Sequence, residues 1–467
     1  MKTILIMTDS LRRDFIGAYG NNWIKTPNID SLAKVSHVFD QCYAGSFPTV
    51  PNRRDIHIGI GFGGSKFNPW VNVSKDDLTM ADRLSKNNIH TMMIVDSPNS
   101  FSYGQFLNKG FFAYSFIRGQ ESDLEFSDAT IPINRPIPSE MMRYKDVIWE
   151  KIITNRYGRK FEEDWFAPKT FKRACEWLEV NYMREDFFLW VETFDPHEPW
   201  DPPIWYEHLY DPDYDGPQRD STVYGKVEKL GISPREMKNI RAKYSGKITM
   251  VDNAIGRLIH TIKKLGIWDD TLIILTSDHG QQMDLEGDCG LVGKICSTSI
   301  ETGAANAHGK RNKGPWEVIP MRTGILRIPL IIRLPGQNEE KRINTITQPW
   351  DLQPTILDFY NIEPDNTLQG ISLFPIMKKD DPALRKFAFS WCGQQRMNVM
   401  QAINKDWIYA YYDDPKLVPW LIDLNKNTPQ DKNVLNQYPE IAKEMHNAMI
   451  DFDPSFKWLN TANSEIP

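Results

Sequence analysis

Three side chains in this sequence have the types and positions needed to hold a divalent cation. Asp9 directly follows an apolar run at the start of the chain, and Asp278 with His279 follows a second such run. Carboxylates combined with a neutral imidazole are ligands that divalent cations accept. An Asp after a strand also commonly caps the next helix, so the structural interpretation stays open. Gly280 favours a ligand site, because glycine lets the backbone turn sharply beside a ligand.

An α/β fold would bring these residues together. Short apolar runs typical of strands buried on both faces alternate with helical patterns, and they are Ile4 to Met7, His90 to Val95, Phe187 to Val191, Leu272 to Leu275 and Pro329 to Ile332. The alternation predicts a large, mostly parallel sheet sandwiched by helices. Ligands bind outside the carboxyl ends of strands in such sheets, so we expect Asp9 and Asp278 at one site.

The helical and C-terminal patterns predict a two-part chain. Apolar residues recur at three- and four-residue spacing from Ile248 to Leu265, and Gly266 supplies a stop signal. Residues 97–170 predict loops and short helices that either carry substrate contacts or form a structural insertion. After a break near residue 380, short aromatic-rich runs predict antiparallel strands, and a closing helix covers residues 438–450. We therefore predict a large domain at residues 1–380 and a small α+β subdomain with an antiparallel sheet at residues 381–467.

Composition excludes several classes of protein. The net charge is -6 with no long basic run, which argues against a nucleic-acid partner. The five cysteines form no C-x-x-C pair, which argues against a disulfide framework or a thiolate zinc site. The apolar runs are too short for a signal peptide or a membrane helix. We expect a soluble, cytoplasmic protein with no membrane partner, or a periplasmic one if a signal peptide has been removed; homo-oligomer formation is left open.

Read in chain order, several segments resemble the sulfatase branch of the alkaline phosphatase superfamily. They are Asp9 to Asp14, Lys25 to Ala33, Thr276 to Gly280, Arg327 to Ile332 and Asp351 to Thr355. The resemblance spans nearly the whole chain and implies an alkaline phosphatase-like fold with a catalytic domain at residues 1–380. It also implies a metal-dependent hydrolase of phosphate or sulfate esters with one divalent metal ion. The ligands would be Asp9, Asp278, His279 and the Thr49 oxygen, and Mn²⁺, Mg²⁺, Ca²⁺ or Zn²⁺ could each fit.

The nucleophile position departs from the sulfatase pattern. Sulfatases carry a C/S-x-P-x-R signature whose first residue becomes formylglycine, and the matching segment here begins with Thr49 and ends with Arg53. Relatives in the superfamily, such as nucleotide pyrophosphatases and lipoteichoic acid synthases, use Thr to attack phosphorus. Ser10 replaces a second Asp of sulfatases, as in phosphonate monoester hydrolases. The resemblance therefore implies Thr49 as the nucleophile with a phosphoester favoured, and Arg53 stabilising it and pairing with substrate oxygens.

Other segments that resemble the family supply groups for the substrate. His197 lies in a P-H-x-P segment and would contact the transferred group or protonate the leaving oxygen. In an H-G-x-x-x-K-G-like segment, His308 could be the general acid and Lys313 would bind a substrate oxygen. Lys294, in a segment that resembles phosphonate monoester hydrolases, is the second candidate for that lysine. Asn99 stands near where the family's G-K-W-H segment would lie and could take part of its role.

Alternative functions remain at this stage. A true sulfatase acting on a carbohydrate or aryl sulfate, a phosphotransferase, and a non-catalytic anion-binding homologue all fit the fold. The expected partner is a small-molecule or carbohydrate ester. The aromatic content of 12% could serve sugar stacking, although large aromatic residues more often fill cores and interfaces.

Overall fold

The computed structural model describes residues 1–64, 73–101, 104, 106–144, 146–295, 297–299, 316–379, 385–394, 397–425 and 431–453. The strands are β1 (Lys2–Asp9), β2 (His37–Cys42), β3 (Ser46–Phe47), β4 (His90–Val95), β5 (Ala113–Phe116), β6 (Phe187–Pro196), β7 (Gly225–Lys226), β8 (Thr271–Ser277), β9 (Gln282–Met283), β10 (Leu291–Gly293), β11 (Ser297–Ser299), β12 (Trp316–Val318), β13 (Leu330–Arg333), β14 (Lys341–Thr347), β15 (Ala388–Gln394), β16 (Met397–Ile403), β17 (Trp407–Tyr412) and β18 (Trp420–Asp423). The α-helices are α1 (Pro27–Ala33), α2 (Thr49–Ile58), α3 (Met80–Lys86), α4 (Asp146–Arg156), α5 (Phe166–Asn181), α6 (Ile204–Glu207), α7 (Pro234–Lys264), α8 (Thr323–Leu326), α9 (Leu352–Phe359), α10 (Phe374–Lys379) and α11 (Pro439–Phe452).

A large, mostly parallel sheet forms the centre of the fold. Its described strands follow the order β14-β2-β13-β8-β1-β6-β4-β5, with β1 parallel to both β6 and β8, and β13 antiparallel to its neighbours. Alternate side chains of β1 enter two different cores: Ile4 and Ile6 pack with residues of α5 and α7, whereas Leu5 and Met7 pack with residues of α3 and α9. Both faces are therefore covered by helices, and the predicted alkaline phosphatase-like fold is confirmed.

The helix predicted from Ile248 to Leu265 is one half of a longer helix. α7 begins at Pro234, where Ser233 and Glu236 form a capping box. Its first half is buried but polar, because Lys243 pairs with Asp220 and Lys247 pairs with Asp195. These buried lysines interrupt, in the first half of α7, the three- and four-residue spacing of apolar residues that is seen in the second half. Despite its length, α7 is not apolar enough to cross a membrane, and neither is any other described helix.

The region at residues 97–170 also supplies a strand that the sequence did not suggest. β5 lies parallel to β4 at the edge of the central sheet. A short turn at Ser139–Met141 and the helix α4 follow, in agreement with the predicted loops and short helices.

The C-terminal part carries a second sheet. β15 to β18 pair antiparallel in sequence order, and α11 packs Met445 and Met449 into the same core as Met400. The predicted antiparallel strands and closing helix are confirmed. The sheet also takes in β3 from the N-terminal part, which pairs parallel with β15 immediately before Thr49. The division between residues 380 and 381 stays a prediction.

Candidate active site

The carboxyl ends of three adjacent central strands meet at one edge of the sheet. Asp9 ends β1, Asp278 directly follows β8, and Glu192 lies in the second half of β6. Asp9, Asp278 and His279 are fully buried, and one ligand atom from each lies within 4.8 Å of the others. The sheet therefore gathers the three side chains that the sequence suggested as metal ligands.

His279 presents an unpaired nitrogen to this cluster. Its Nδ1 lies 2.9 Å from the Gly280 carbonyl oxygen, so Nδ1 carries the proton and donates. Its Nε2 is buried without a hydrogen-bond partner among the described residues and lies 3.4 Å from Asp278 Oδ2. Burial lowers the pKa of His279, which keeps the imidazole neutral. A buried lone pair beside two carboxylates fits one divalent metal ion.

Gly280 is required here for a reason other than a sharp turn. Its φ is not in the left-handed region, but a Cβ at this position would lie 2.0 Å from the Gly324 carbonyl oxygen. The Gly280 N–H also donates to the Ile325 carbonyl oxygen at 2.8 Å. The glycine therefore serves close backbone packing directly behind His279.

Ser10 links the two aspartates. It adopts a left-handed backbone with φ of 65°, which is uncommon for a residue other than glycine. Its N–H donates to Asp278 Oδ1 at 3.0 Å, and its hydroxyl donates to Asp9 Oδ1 at 2.6 Å. The residue that replaces the sulfatases' second Asp is thus a connector between two candidate metal ligands.

Arg53 is fully buried among three carboxylates. Its Nε donates to Glu192 Oε1 at 2.6 Å, its Nη1 to Asp278 Oδ2 at 2.7 Å, and its Nη2 to Asp9 Oδ2 at 3.0 Å. Nη1 also donates to the Thr49 carbonyl oxygen at 2.9 Å. These bonds occupy four of the five N–H groups of a guanidinium. One N–H is left for the predicted contact with a substrate oxygen, which stays a prediction.

The start of α2 contacts this cluster through Arg53 and through the residue Phe47 that precedes the helix. The Nη1 atom of Arg53 bonds both the Thr49 carbonyl oxygen and Asp278 Oδ2. The Phe47 ring, two residues before Thr49, lies 5.0 Å from the His279 ring between centroids. Thr49 is 4% exposed, and its hydroxyl forms no hydrogen bond with any residue that the structure describes. The Thr49 backbone therefore lies next to Arg53 and the cluster, while the roles of its hydroxyl as nucleophile and as fourth metal ligand stay predictions.

Local sequence determines where α2 begins and ends. Pro51 lies in the first turn, where its missing N–H is not needed. The Asp55 carboxylate accepts hydrogen bonds from the Ser46 backbone N–H and hydroxyl, which ties the helix to β3. Gly59 ends the helix with φ of 69°, and a Cβ there would lie 2.5 Å from the Gln353 side chain. Thr49 and Arg53 are thus one turn apart on a helix fixed at both ends.

His197 and Lys294 approach the cluster from two other segments. His197 follows β6, is 3% exposed, and its Nδ1 lies 2.6 Å from the Glu198 carbonyl oxygen. Burial lowers the pKa of His197 to about 3, so its ring is neutral in the free protein. The Lys294 ammonium donates to Ser10 Oγ at 3.1 Å. Of the two lysines that the sequence suggested, Lys294 thus lies at the cluster.

The other predicted residues are not brought to the cluster by the described part of the chain. Lys313 and His308 lie outside the described residues. Asn99 lies in a short turn after β4, is partly exposed, and has no described hydrogen bond to the cluster. The roles of all three stay predictions.

Asp96, in the same turn region as Asn99, has a structural role. It is fully buried and accepts hydrogen bonds from the hydroxyls of Thr170 and Thr193 and from the Phe194 N–H, which hold the end of β6. Burial, with a smaller contribution from Asp195, raises the pKa of Asp96 to about 7.

The Asp96→Asn variant is expected to change the pH dependence of stability. The folded pKa of about 7 exceeds the unfolded value of about 4, so Asp96 contributes stability that is fully present below pH 4 and lost as the pH rises through 7. The free energy of unfolding of the wild type, relative to the variant, should fall by about 1.4 kcal/mol per pH unit between pH 5 and 7. Urea unfolding of both proteins at pH 5, 6, 7 and 8 measures this difference. A difference that stays constant from pH 5 to 7 would contradict the assignment.

Two carboxylates of the site were not predicted from the sequence. Glu192 follows the buried run Phe187 to Val191, so the position rule that selected Asp9 and Asp278 would also have found it. Glu198 lies inside the quoted P-H-x-P segment at the unspecified position. The sequence shows that Glu198 is charged. It does not show which residues surround Glu198, because they come from distant segments.

The comparisons with known proteins identify the family and agree with the fold. Residues 2–362 match the sulfatase family, and residues 319–454 match the C-terminal region of N-sulphoglucosamine sulphohydrolase. An arylsulfatase of Clostridium perfringens is 25% identical over 82% of this chain and 80% of its own length. The multifunctional alkaline phosphatase superfamily protein PehA of Trinickia caryophylli is 24% identical over 81% of this chain and 77% of its own length.

Solved structures show the same fold. The phosphonate monoester hydrolase of Agrobacterium radiobacter superposes with a TM-score of 0.73 at 20% identity, covering 97% of this chain and 96% of that one. The chain is therefore a member of the sulfatase family in the alkaline phosphatase superfamily, and it is an ester hydrolase.

Proposed function

We propose that this enzyme hydrolyses phosphate esters in preference to sulfate esters, with Thr49 as the nucleophile. The observation that carries the proposal is the position of Thr49, which corresponds by resemblance to the formylglycine of sulfatases. Its backbone carbonyl oxygen and Asp278 Oδ2 both accept hydrogen bonds from Arg53 Nη1. A formylglycine gem-diol can eliminate sulfate from its covalent intermediate. A threonine ester must instead be cleaved by water at the central atom, which is the route expected for phosphorus.

One divalent metal ion held by Asp9, Asp278 and His279 would favour ionisation of a nearby hydroxyl and neutralise charge on the transferred group. The remaining steps are assigned to the side chains. Arg53 keeps the two aspartates in fixed orientation through separate nitrogens. The N-terminus of α2 provides a positive dipole end beside the Thr49 oxygen, which favours its negative form.

The first half of the reaction transfers the phosphoryl group to Thr49. The Thr49 hydroxyl loses its proton to solvent, and its oxygen forms a bond to phosphorus while the bond from phosphorus to the leaving alcohol breaks in line. The Lys294 ammonium neutralises a non-bridging oxygen of the transferred group. The leaving oxygen takes a proton from His197 or His308. His197 is neutral in the free protein, so this role requires the anionic substrate to raise its pKa on binding. Water then attacks phosphorus, the bond to Thr49 breaks, and phosphate is released.

A panel of four nitrophenyl substrates tests the preference. We expect the phosphate monoester, the phosphate diester or the phosphonate monoester to exceed the sulfate ester at least tenfold in kcat/KM, about 1.4 kcal/mol in activation free energy. The leaving group is the same throughout, so the comparison isolates the transferred group. Rates are measured with Mn²⁺, Mg²⁺, Ca²⁺ and Zn²⁺ in turn, because the ligand set accepts each of them. Faster turnover of the aryl sulfate would contradict the preference.

Product analysis separates hydrolysis from transfer. Hydrolysis of the phosphate monoester predicts one inorganic phosphate for each nitrophenol, with glycerol present or absent. A phosphorylated glycerol in place of free phosphate would identify a phosphotransferase instead.

A further inference from the structure

We propose that Glu198 is a positioning residue that holds the Lys294 ammonium and the His197 ring in the active site. The proposal rests on the proposed function in one respect, namely that Lys294 and His197 act on the transferred group. Glu198 stands at the unspecified position of the P-H-x-P segment, and the sequence pattern predicts no role for it.

Glu198 is a fully buried carboxylate at the end of the segment that carries His197. Its side chain is 0% exposed, and its backbone carbonyl oxygen accepts the His197 Nδ1 proton at 2.6 Å. That bond sets the tautomer of the ring and leaves Nε2 unprotonated in the neutral form. The backbone of Glu198 therefore orients His197, while its carboxylate is available for other partners.

Two residues from distant segments hold one carboxylate oxygen. The Tyr224 hydroxyl donates to Glu198 Oε1, and the Arg143 Nε lies 2.9 Å from the same oxygen. The Arg143 guanidinium also lies over the Tyr224 ring, 4.0 Å from its centroid. Arg143 follows the bridge between Met142 and Thr222, which fastens the region at residues 97–170 to the segment before Tyr224. Oε1 is thus fixed from both sides.

The second carboxylate oxygen faces the two groups that would act on the substrate. Oε2 lies 3.7 Å from the Lys294 Nζ and 3.4 Å from the His197 Nδ1, and it accepts no hydrogen bond from a described residue. Burial opposes ionisation, but the neighbouring His197 ring, the charges of Lys294 and Arg143, and the hydrogen bond from Tyr224 outweigh it and hold the pKa of Glu198 well below its usual range. A permanent negative charge therefore stands beside the ammonium.

Contacts continue from Glu198 to a candidate metal ligand. The Lys294 ammonium donates to Ser10 Oγ at 3.1 Å, and the Ser10 hydroxyl donates to Asp9 Oδ1 at 2.6 Å. Within the described residues, Glu198 is the carboxylate paired with Lys294. Because a buried ammonium needs a counter-charge to keep its place, loss of the Glu198 charge would release Lys294 from this line of contacts.

A double-mutant cycle tests whether Glu198 acts through Lys294. We expect Glu198→Gln to lower kcat/KM on the best phosphate ester 10- to 100-fold, mainly through kcat. In the Lys294→Met background the same change should alter kcat/KM less than threefold. The ammonium that the Glu198 carboxylate positions is already absent there, and the backbone bond to His197 remains. If the fold-losses in kcat/KM of the two single variants multiplied in the double variant, the proposal would be overturned. Binding of inorganic phosphate, measured by calorimetry on the same four proteins, should show the same coupling without turnover.

Two further variants make the result specific. Glu207→Gln removes another buried carboxylate paired with a lysine, since Glu207 lies 3.5 Å from Lys243. It should lower the melting temperature while leaving kcat/KM within twofold. Should Glu198→Gln fail to fold, Tyr224→Phe is the substitute variant, because it removes only the hydroxyl that donates to Glu198 Oε1. We expect Tyr224→Phe to lower kcat/KM 3- to 10-fold, and this loss should disappear in the Lys294→Met background. A Tyr224→Phe loss that persists there would overturn the proposal.

The double-mutant cycle also distinguishes failure of this proposal from failure of the proposed function. Wild-type protein that hydrolyses none of the four esters would contradict the proposed function. Phosphate binding to the four proteins would still show whether Glu198 acts through Lys294. Normal hydrolysis with independent loss factors would contradict only the role of Glu198.

Discussion

Replacement of Thr49 by alanine is expected to lower kcat/KM on phosphate esters by at least about 10⁴-fold, about 5.4 kcal/mol in activation free energy. The reason is that the variant has no oxygen to form the covalent bond to phosphorus, while the rest of the cluster keeps its charge and geometry. Steady-state kinetics on the phosphate monoester measure the loss.

The structure also predicts that this variant folds. The Thr49 hydroxyl forms no hydrogen bond with a described residue, so its removal breaks no described contact. We expect the free energy of unfolding to change by less than about 1 kcal/mol, in the range of mild substitutions. With metal in excess, metal content per chain should stay close to that of the wild type, because three of the four predicted ligands, Asp9, Asp278 and His279, remain.

Thr49→Ser is the matched control, since it keeps the hydroxyl and removes one methyl group. It should retain kcat/KM within about tenfold. Acid quenching during turnover of the wild type, followed by mass spectrometry, should detect a phosphoryl group on Thr49 and none on the alanine variant. Full activity of Thr49→Ala would overturn the nucleophile assignment, and a phosphoryl group on another residue would identify the nucleophile that replaces it.

The central sheet could be predicted because its strands are buried on both faces. β6 and β8 are buried at every residue, and each contains a continuous apolar run, Phe187 to Val191 in β6 and Leu272 to Leu275 in β8. The first half of α7 could not be predicted, because Lys243 and Lys247 are buried, pair with Asp220 and Asp195, and interrupt the apolar period. A pattern based on hydrophobicity fails wherever burial is achieved by ion pairs.

Part of the candidate site could likewise be predicted from the sequence and part could not. Asp9, Asp278 and His279 could be placed together, because position at a strand end is readable from the chain and parallel strands end at a common edge. Lys294 could not be ranked against Lys313, since its place depends on β10 folding back towards Ser10. Ser10 links the two aspartates because its backbone is left-handed, a conformation that could not be predicted from the sequence.

Substitution of Arg53 by methionine is expected to have the largest effect on stability. The change keeps a long side chain but leaves Asp9, Glu192 and Asp278 buried without their shared positive charge. Breaking a buried ion pair by removing one partner typically costs about 3–5 kcal/mol, and three carboxylates depend on this one guanidinium. Urea unfolding at pH 7 measures the loss, and kcat/KM should fall at least about 100-fold in the fraction that remains folded.

The pH dependence of this loss distinguishes charge from packing. Without Arg53 the pKa values of Glu192 and Asp278 should rise, because burial and their mutual repulsion are no longer opposed. Protonation then relieves the repulsion, so the deficit in unfolding free energy should shrink as the pH falls from 7 to 5. Glu192→Gln added to Arg53→Met should recover part of the stability at pH 7, since it removes one of the uncompensated charges.

Two control variants define what the guanidinium contributes beyond its charge. Arg53→Lys keeps one positive charge, but a single ammonium cannot reach the separate positions of Nε, Nη1 and Nη2, so stability should recover further than activity does. Arg385→Met removes an arginine that makes two 2.7 Å bonds to the buried Asp351, and it should lose stability with kcat/KM unchanged. If Arg53→Met lost no more stability than Arg385→Met and its deficit did not vary with pH, the three carboxylates would not depend on Arg53. In that case the cluster would be held by its backbone and hydroxyl bonds, chiefly those of Ser10.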